Sequence, residues 1–261
     1  MKIGKATQVQ SAICTSNEDS ITVRGQDLCA ELIGHVSFSD YFHLLVTGRK
    51  PAPAASRVLE ATLVAITEHG LVPSVQAARM TFAAAPDALQ GAVAAGILGC
   101  GSVILGASQD AGRLFVEIDQ RAGAAGDITA AAQAVVGERR AARQAIPGYG
   151  HPQHKARDPR VARLFEVSLQ AGGGQRFVHI AEAVEAVLPA LTGRELKLNV
   201  SAAIPAVLLG VDFPVAGLRG VPILARAAGL IAHLVEEVEN PIGFALSYQA
   251  TREQVYTGAQ P

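Results

Sequence analysis

Apolar residues return every three to four positions along most of this chain, the spacing of helices that bury one face. In SFSDYFHLLVTGRKP, Ser37 offers a hydroxyl cap, Phe38, Phe42 and Leu45 form a stripe, and Gly48 with Pro51 ends the run. SRVLEATLVAITEHG places Val58, Leu59, Leu63 and Ile66 on one face and stops at His69 and Gly70, and Pro73 with Ser74 opens a further helix in PSVQAARMTFAAA. An Ala-rich stretch forms helix from Asp127 until Pro147 and Gly148 break it. A helix begins at Asp158-Pro159 and closes at glycines 172 to 174. KLNVSAAIPAVLLGVDFP is an apolar run ending at Gly210 and Pro214, and VPILARAAGLIAHLVEEVENPIG predicts one further long helix before a tail. Only SITVRG, residues 20–25, alternates as a strand does, predicting a small ribbon near the N-terminus. No repeat of 20 to 50 residues is present, so the pattern predicts an all-α fold and excludes a solenoid.

Composition narrows this. At 261 residues the chain suffices for one large domain or two ordinary ones. Apolar residues make up 49% and charged ones 17%, which leaves little polar surface to coat a monomer and favours a buried subunit interface. A net charge of −1 provides no basic field for nucleic acid. Cys14, Cys29 and Cys100 are odd in number and widely spaced, implying neither a disulfide framework nor a metal site, and fitting a reducing cytoplasm. The opening MKIGKATQVQSAICTS has no apolar core of a signal peptide. Ala88 to Gln109 carries no charge, yet glycines 91, 96, 99, 101 and 106 interrupt it and Asp87 and Asp110 flank it. It reads as a buried segment that other helices approach closely, and no membrane partner is expected.

One stretch concentrates positive charge. PGYGHPQHKARDPRVARLF, residues 147–165, carries two histidines, a lysine and three arginines. Asp158-Pro159 is a cap followed by proline at the first helical position, so Arg160 falls in the first turn. An arginine beside the positive end of a helix calls for an anion nearby. That anion is either a ligand or Asp158 itself, paired with Arg160 or Arg157. The remaining candidates are His69 at a helix end, His151 and His154 in the basic loop, and Arg226, beside the apolar stripe of Ile223, Ala227, Leu230, Ile231 and Leu234. If buried, Arg226 needs an anionic partner; if it snorkels to a surface, it needs none. Nucleophile-elbow, P-loop, dinucleotide-binding and H-E-x-x-H motifs are absent.

Five stretches in order resemble one family, the citrate synthase superfamily, and within it the short citryl-CoA lyase-like proteins. They are ITVRGQDLCAELIGHVSFSDYFHLLVTGRKP, EHGLVPSVQAAR, GYGHPQHKARDPR, LNVSAAIPAVLL and ARAAGLIAHLVEE, covering the chain from about Ile21 to Tyr256. The resemblance implies a helical homodimer with a large domain from residues 1–106 and 205–261 and a smaller one, 107–204, closing over acyl-CoA. It implies that His69, His151, Arg160 and Arg226 hold the carboxylates of an oxaloacetate- or citrate-like acid. The tail REQVYTG resembles the family's terminal segment, which would send Arg252 toward the partner's site. A CoA thioester is the implied co-substrate, with no permanently bound cofactor and no metal.

Two departures bear on the chemistry. The family's enolising histidine, in a G-P-x-H-G-G turn, would fall at Ile104 in GSVILGA, and its N-V-D aspartate at Ser201 in LNVSA. Removing a thioester α-proton needs a positioned base and a donor to the enolate oxygen, and each missing role costs roughly 10²- to 10⁴-fold. His154, Ser108 and Asp110 are the residues placed to take over. Three functions therefore stay open: a C–C lyase or synthase with rearranged acid/base groups, a thioester hydrolase, and a non-catalytic dicarboxylate or CoA sensor.

Overall fold

The computed structural model describes residues 9–124, 126–150 and 157–259, apart from the side chains of residues 102 and 103. Its N-terminal ribbon is a three-stranded antiparallel sheet of β1 (Cys14–Ser16), β2 (Ile21–Val23) and β3 (Gln26–Asp27), in that order. Arg24 and Gly25, both at positive φ (51° and 81°), make the tight turn between β2 and β3. The Arg24 guanidinium then donates to the Leu45 carbonyl, pinning the ribbon to α1 (Phe38–Thr47).

The remainder is helical. Ser37 accepts from the Asp40 amide to start α1, and Gly48, at φ 76°, ends it. Then come α2 (Pro53–Thr67) and α3 (Pro73–Ala84), both with proline at their start, α4 (Leu89–Leu105), α5 (Ala107–Ala122) and α6 (Ile128–Ala141). After them run α7 (Pro159–Gln170), α8 (Arg176–Thr192), α9 (Val200–Leu209), α10 (Gly220–Glu239) and α11 (Gly243–Glu253). The main core joins α5 to α9 with α2, through Leu59, Phe115, Ile180, Ile204 and Leu208, all fully buried. A second core joins Val75, Ala78 and Phe82 of α3 with Ala92 of α4 and Leu230 and Leu234 of α10.

Two expectations are corrected. The Gly-rich segment is buried along one side only: Ala92 and Cys100 are covered, whereas Leu98 is 79% exposed and Leu89 43%. Close approach is realised, since a Cβ at Gly96 would stand 2.7 Å from the Leu230 methyls and 3.0 Å from the Ser74 carbonyl. The segment also breaks, with Gly101 at φ 55° interrupting α4. The second correction is α11, a helix where the pattern predicts a tail. No side chain of its own caps it; the amides of Ile242 and Gly243 donate instead to Glu237 Oε1 on α10, at 3.0 and 2.7 Å. That cap comes from the preceding helix and leaves no mark in the local sequence. The segment Val215–Glu239 has the length and composition of a membrane span, but α10 packs against α2, α3 and α4.

The boundary expected after residue 106 coincides with the junction of α4 and α5. The one expected after residue 204 falls within α9, beside Pro205, which has no N–H to give the Ser201 carbonyl.

Candidate functional site

The C-terminal end of α2 is the point on which the candidates bear. The chain leaves the helix at Glu68 (φ −134°, ψ 146°), and in the last turn of α2 the Thr67 hydroxyl donates to the Leu63 carbonyl at 2.7 Å. Glu68 fixes the turn that follows: its Oε1 accepts the amides of His69 and Gly70 at 2.7 and 2.6 Å. Burial raises the Glu68 pKa, but the His233 imidazole and these two N–H groups outweigh it and hold the carboxyl below its ordinary value. His69 is thereby presented, half-buried, just past the helix end.

Helix α10 crosses this end at Gly229. A Cβ there would stand 2.3 Å from the Thr67 carbonyl oxygen, so only glycine permits the approach. Arg226 and His233 lie three and four residues either side, on the same face. His233 Nε2 is 2.9 Å from Glu68 Oε2 and its Nδ1 3.7 Å from Glu236 Oε2, ion-pair distances without hydrogen-bond geometry. Arg226 is only 5% exposed, and its Nε and Nη1 find no hydrogen-bond partner among the described residues. Arg226 is therefore buried rather than snorkelling. Guanidinium nitrogens held out of water without a partner are costly, and an anion is the group that would satisfy them.

Arg160 reaches the same helix end from α7, with Nη1 donating to the Ala65 carbonyl at 3.4 Å. Its main partner is Asp158, whose side chain is fully buried: Nε donates to Oδ1 at 3.0 Å and Nη2 to Oδ2 at 2.7 Å. Asp158 Oδ1 also accepts the Arg160 amide, capping α7. Of the two anions the sequence left open beside Arg160, the protein supplies one itself. Arg157 pairs with Glu182 and Glu185 instead. A cleft of about 1080 Å³ between α1, α2 and α7 is lined by Arg160, Arg57 and Arg163 but takes in neither His69 nor Arg226.

His151 and His154 lie outside the described residues. The chain before them is anchored at Gly148 and Gly150: Gly150 donates to the Lys197 carbonyl at 2.7 Å, and Asn199 gives its amide to the Gly148 carbonyl and its side-chain NH₂ to the Gly150 carbonyl at 2.6 Å. Gly148, at φ 89°, touches Ala202, where a Cβ would stand 2.5 Å from the alanine's own. The basic loop thus departs from the N-terminus of α9, where Ser201 gives its amide to the Asn199 cap at 2.9 Å. Ile104, 46% exposed, lies beyond the Gly101 break in α4. Ser108 is buried in α5, while Asp110 faces solvent, paired with Arg113 at 3.1 Å. Arg252 does not join the others: it is exposed on α11, over the Tyr248 ring at 6.0 Å, and α11 packs against α3.

The structure therefore places His69 and Arg160 at one end of α2, with Arg226 one turn from Gly229 on the α10 face that meets it. Sequence reasoning missed Glu68 and His233, although His233 stands seven residues after Arg226, two helical turns along the same face.

Comparison with known proteins places these elements in context. A family model described as citrate synthase, C-terminal domain, matches residues 34–243. Among curated proteins, 2-methylcitrate synthase 1 of Corynebacterium glutamicum is 35% identical over 102 residues, 38% of this chain and 26% of that one. The probable ATP-citrate synthase of Dictyostelium discoideum is 26% identical over 260 residues, 93% of this chain and 40% of that one. The chain thus spans less than half the length of these two relatives. Among solved structures, citryl-CoA lyase from Hydrogenobacter thermophilus superposes with a TM-score of 0.84 at 31% identity, covering 97% of this chain and 96% of that one. Methanosaeta concilii ATP citrate lyase, bound to (3S)-citryl-CoA, shares the fold at a TM-score of 0.78 and 22% identity, over 99% of this chain and 43% of that one.

Proposed function

Since this chain belongs to the citrate synthase family, we propose that it makes or breaks the C–C bond between an oxaloacetate-like keto acid and the acyl group of a CoA thioester, as a citryl-CoA lyase does. One observation carries the reading: the buried Arg226 guanidinium has two nitrogens with no partner among the described residues and lies on the face of α10 that meets the His69 end of α2. A carboxylate is the ligand chemistry that satisfies such a group, accepting two N–H bonds side by side. His69, His151, Arg160 and Arg226 hold the acid's carboxylates, with Arg160 partly neutralised by Asp158. The CoA thioester is a substrate, and the chain keeps no permanent cofactor.

Cleavage of a citryl thioester takes the proton from the tertiary hydroxyl, breaks the C–C bond and leaves an enolate that must be protonated on carbon. Neither Ile104 nor Ser201 is an acid or base at neutral pH, so His69, His151 and His154 carry the proton transfers in this reading. Residues 107–204 form the closing domain, flexing at the α4–α5 junction and at Pro205. A homodimer covers the exposed side of α4 together with Ile231, Val235, Val238, Phe244 and Tyr248, all 46% exposed or more, and Arg252 reaches the partner's site. Free cysteines support a reducing cytoplasm.

Ile104 and Ser201 favour a second reading, in which the polyacid or its thioester is bound without enolate chemistry, by a hydrolase or a sensor. Incubation with citryl-CoA separates them. The lyase reading predicts oxaloacetate with the thioester absorbance conserved. Release of free thiol means hydrolysis. Thermal stabilisation by ligand with neither product means a sensor. Deuterium exchange into acetyl-CoA at the background rate overturns the enolate step.

A further inference from the structure

A line of polar contacts runs from the second core to the His69 turn. Arg79 on α3, 2% exposed, donates Nη1 to Glu236 Oε2 at 2.7 Å and Nε to Glu237 Oε2 at 2.5 Å. Glu236 Oε2 lies 3.7 Å from His233 Nδ1, His233 Nε2 lies 2.9 Å from Glu68 Oε2, and Glu68 Oε1 takes the amides of His69 and Gly70. The His233 side chain is only 14% exposed.

The turn that carries His69 is not held by its own helix. Glu68 has left the helical region, α2 has no closing amide of its own, and the two following N–H groups depend on the Glu68 carboxylate. A carboxylate on a rotatable stem fixes a turn only if its other oxygen is held as well, and that oxygen faces His233. Helix α10 therefore touches the α2 terminus twice, one turn apart: glycine on carbonyl at Gly229, imidazole on carboxylate at His233. Arg226 projects from the same face, so the two contacts set its register against His69.

We propose that His233 is a positioning residue for the polyacid site: through Glu68 it orients the turn bearing His69 and locks it to the helix bearing Arg226. This deepens the functional reading above and rests on it for the identity of the ligand. No established part of the reaction requires His233 to touch substrate.

The test uses the full chain, with ¹⁵N-labelled histidine and citrate as probe. In His233→Leu, the His69 ring resonances move, citrate affinity falls about tenfold, and the far-ultraviolet circular dichroism is unchanged. In His233→Gln, whose amide N–H still reaches Glu68, the His69 resonances and most of the affinity return. In a Glu68→Gln background, His233→Leu has no further effect on either readout. Should the leucine variant fail to fold, His233→Asn, too short to reach Glu68, replaces it. His69 resonances and citrate affinity unmoved in the loss variants, or additive effects of the two substitutions, overturn the proposal. Wild-type protein that binds no citrate sinks the functional reading instead, while the His69 resonances still decide the positioning role.

Discussion

Gly229 and Thr67 meet so closely that a single added carbon at Gly229 would stand 2.3 Å from the Thr67 carbonyl oxygen. The contact is backbone on backbone, and neither side can rotate out of the way. Gly229→Ala is expected to push α10 off the α2 terminus, lowering stability by about 1–3 kcal/mol and weakening citrate binding, because Arg226 and His69 ride on the separated elements. Gly137→Ala, in the middle of α6 where a Cβ meets open space, is the control: it gains up to about 1 kcal/mol. Chemical denaturation of the two variants, with and without citrate, checks both.

Arg226 sets binding against stability. Buried, with two nitrogens that have no partner among the described residues, it is expected to cost the ligand-free protein stability. Arg226→Met, of similar length and apolar, is expected to raise ligand-free stability by about 1–2 kcal/mol and to weaken citrate binding by roughly 30-fold or more. Thermal unfolding and citrate titration of the variant give the two readings. A variant that loses stability without ligand contradicts the account of Arg226 as a group awaiting an anion.

Glu237 ties three helices together, accepting from Arg79 on α3 and capping α11 while lying on α10. Burial raises its pKa, but the Arg79 guanidinium and the amides of Gly243 and Ile242 outweigh this and hold the carboxyl below its ordinary value. A carboxylate with a depressed folded pKa stabilises the protein in full above its unfolded pKa, and the contribution fades as pH falls through the folded value. Glu237→Gln is therefore expected to cost about 3–5 kcal/mol at neutral pH. Its deficit against wild type should shrink on acidification to about pH 3, as read by urea unfolding across that range.

Much of the fold is legible in the sequence because local chemistry marks it. Ser37 and Gly48 bracket α1, Asp127 and Asp158 cap α6 and α7, and prolines open α2, α3 and α7. What escaped depends on residues distant in the chain. α11 is capped by a carboxylate from α10, and α4 is polar on neither side, so its pattern cannot tell the covered face from the exposed one. The site shows the same division. Arg160 and its Asp158 partner stand two residues apart and were both in view, whereas the pairing of His233 with Glu68 spans 165 positions of chain and arises only when α10 crosses α2 at Gly229.

The central claim is that basic groups from separate helices hold a small polyacid at the end of α2. The most direct measurement is a crystal structure of the full chain soaked with citrate. The account predicts a carboxylate about 2.7–3.1 Å from Arg226 Nε and Nη1, with His69 in contact with the same molecule. Citrate bound elsewhere, with the Arg226 nitrogens still unpartnered, would contradict it.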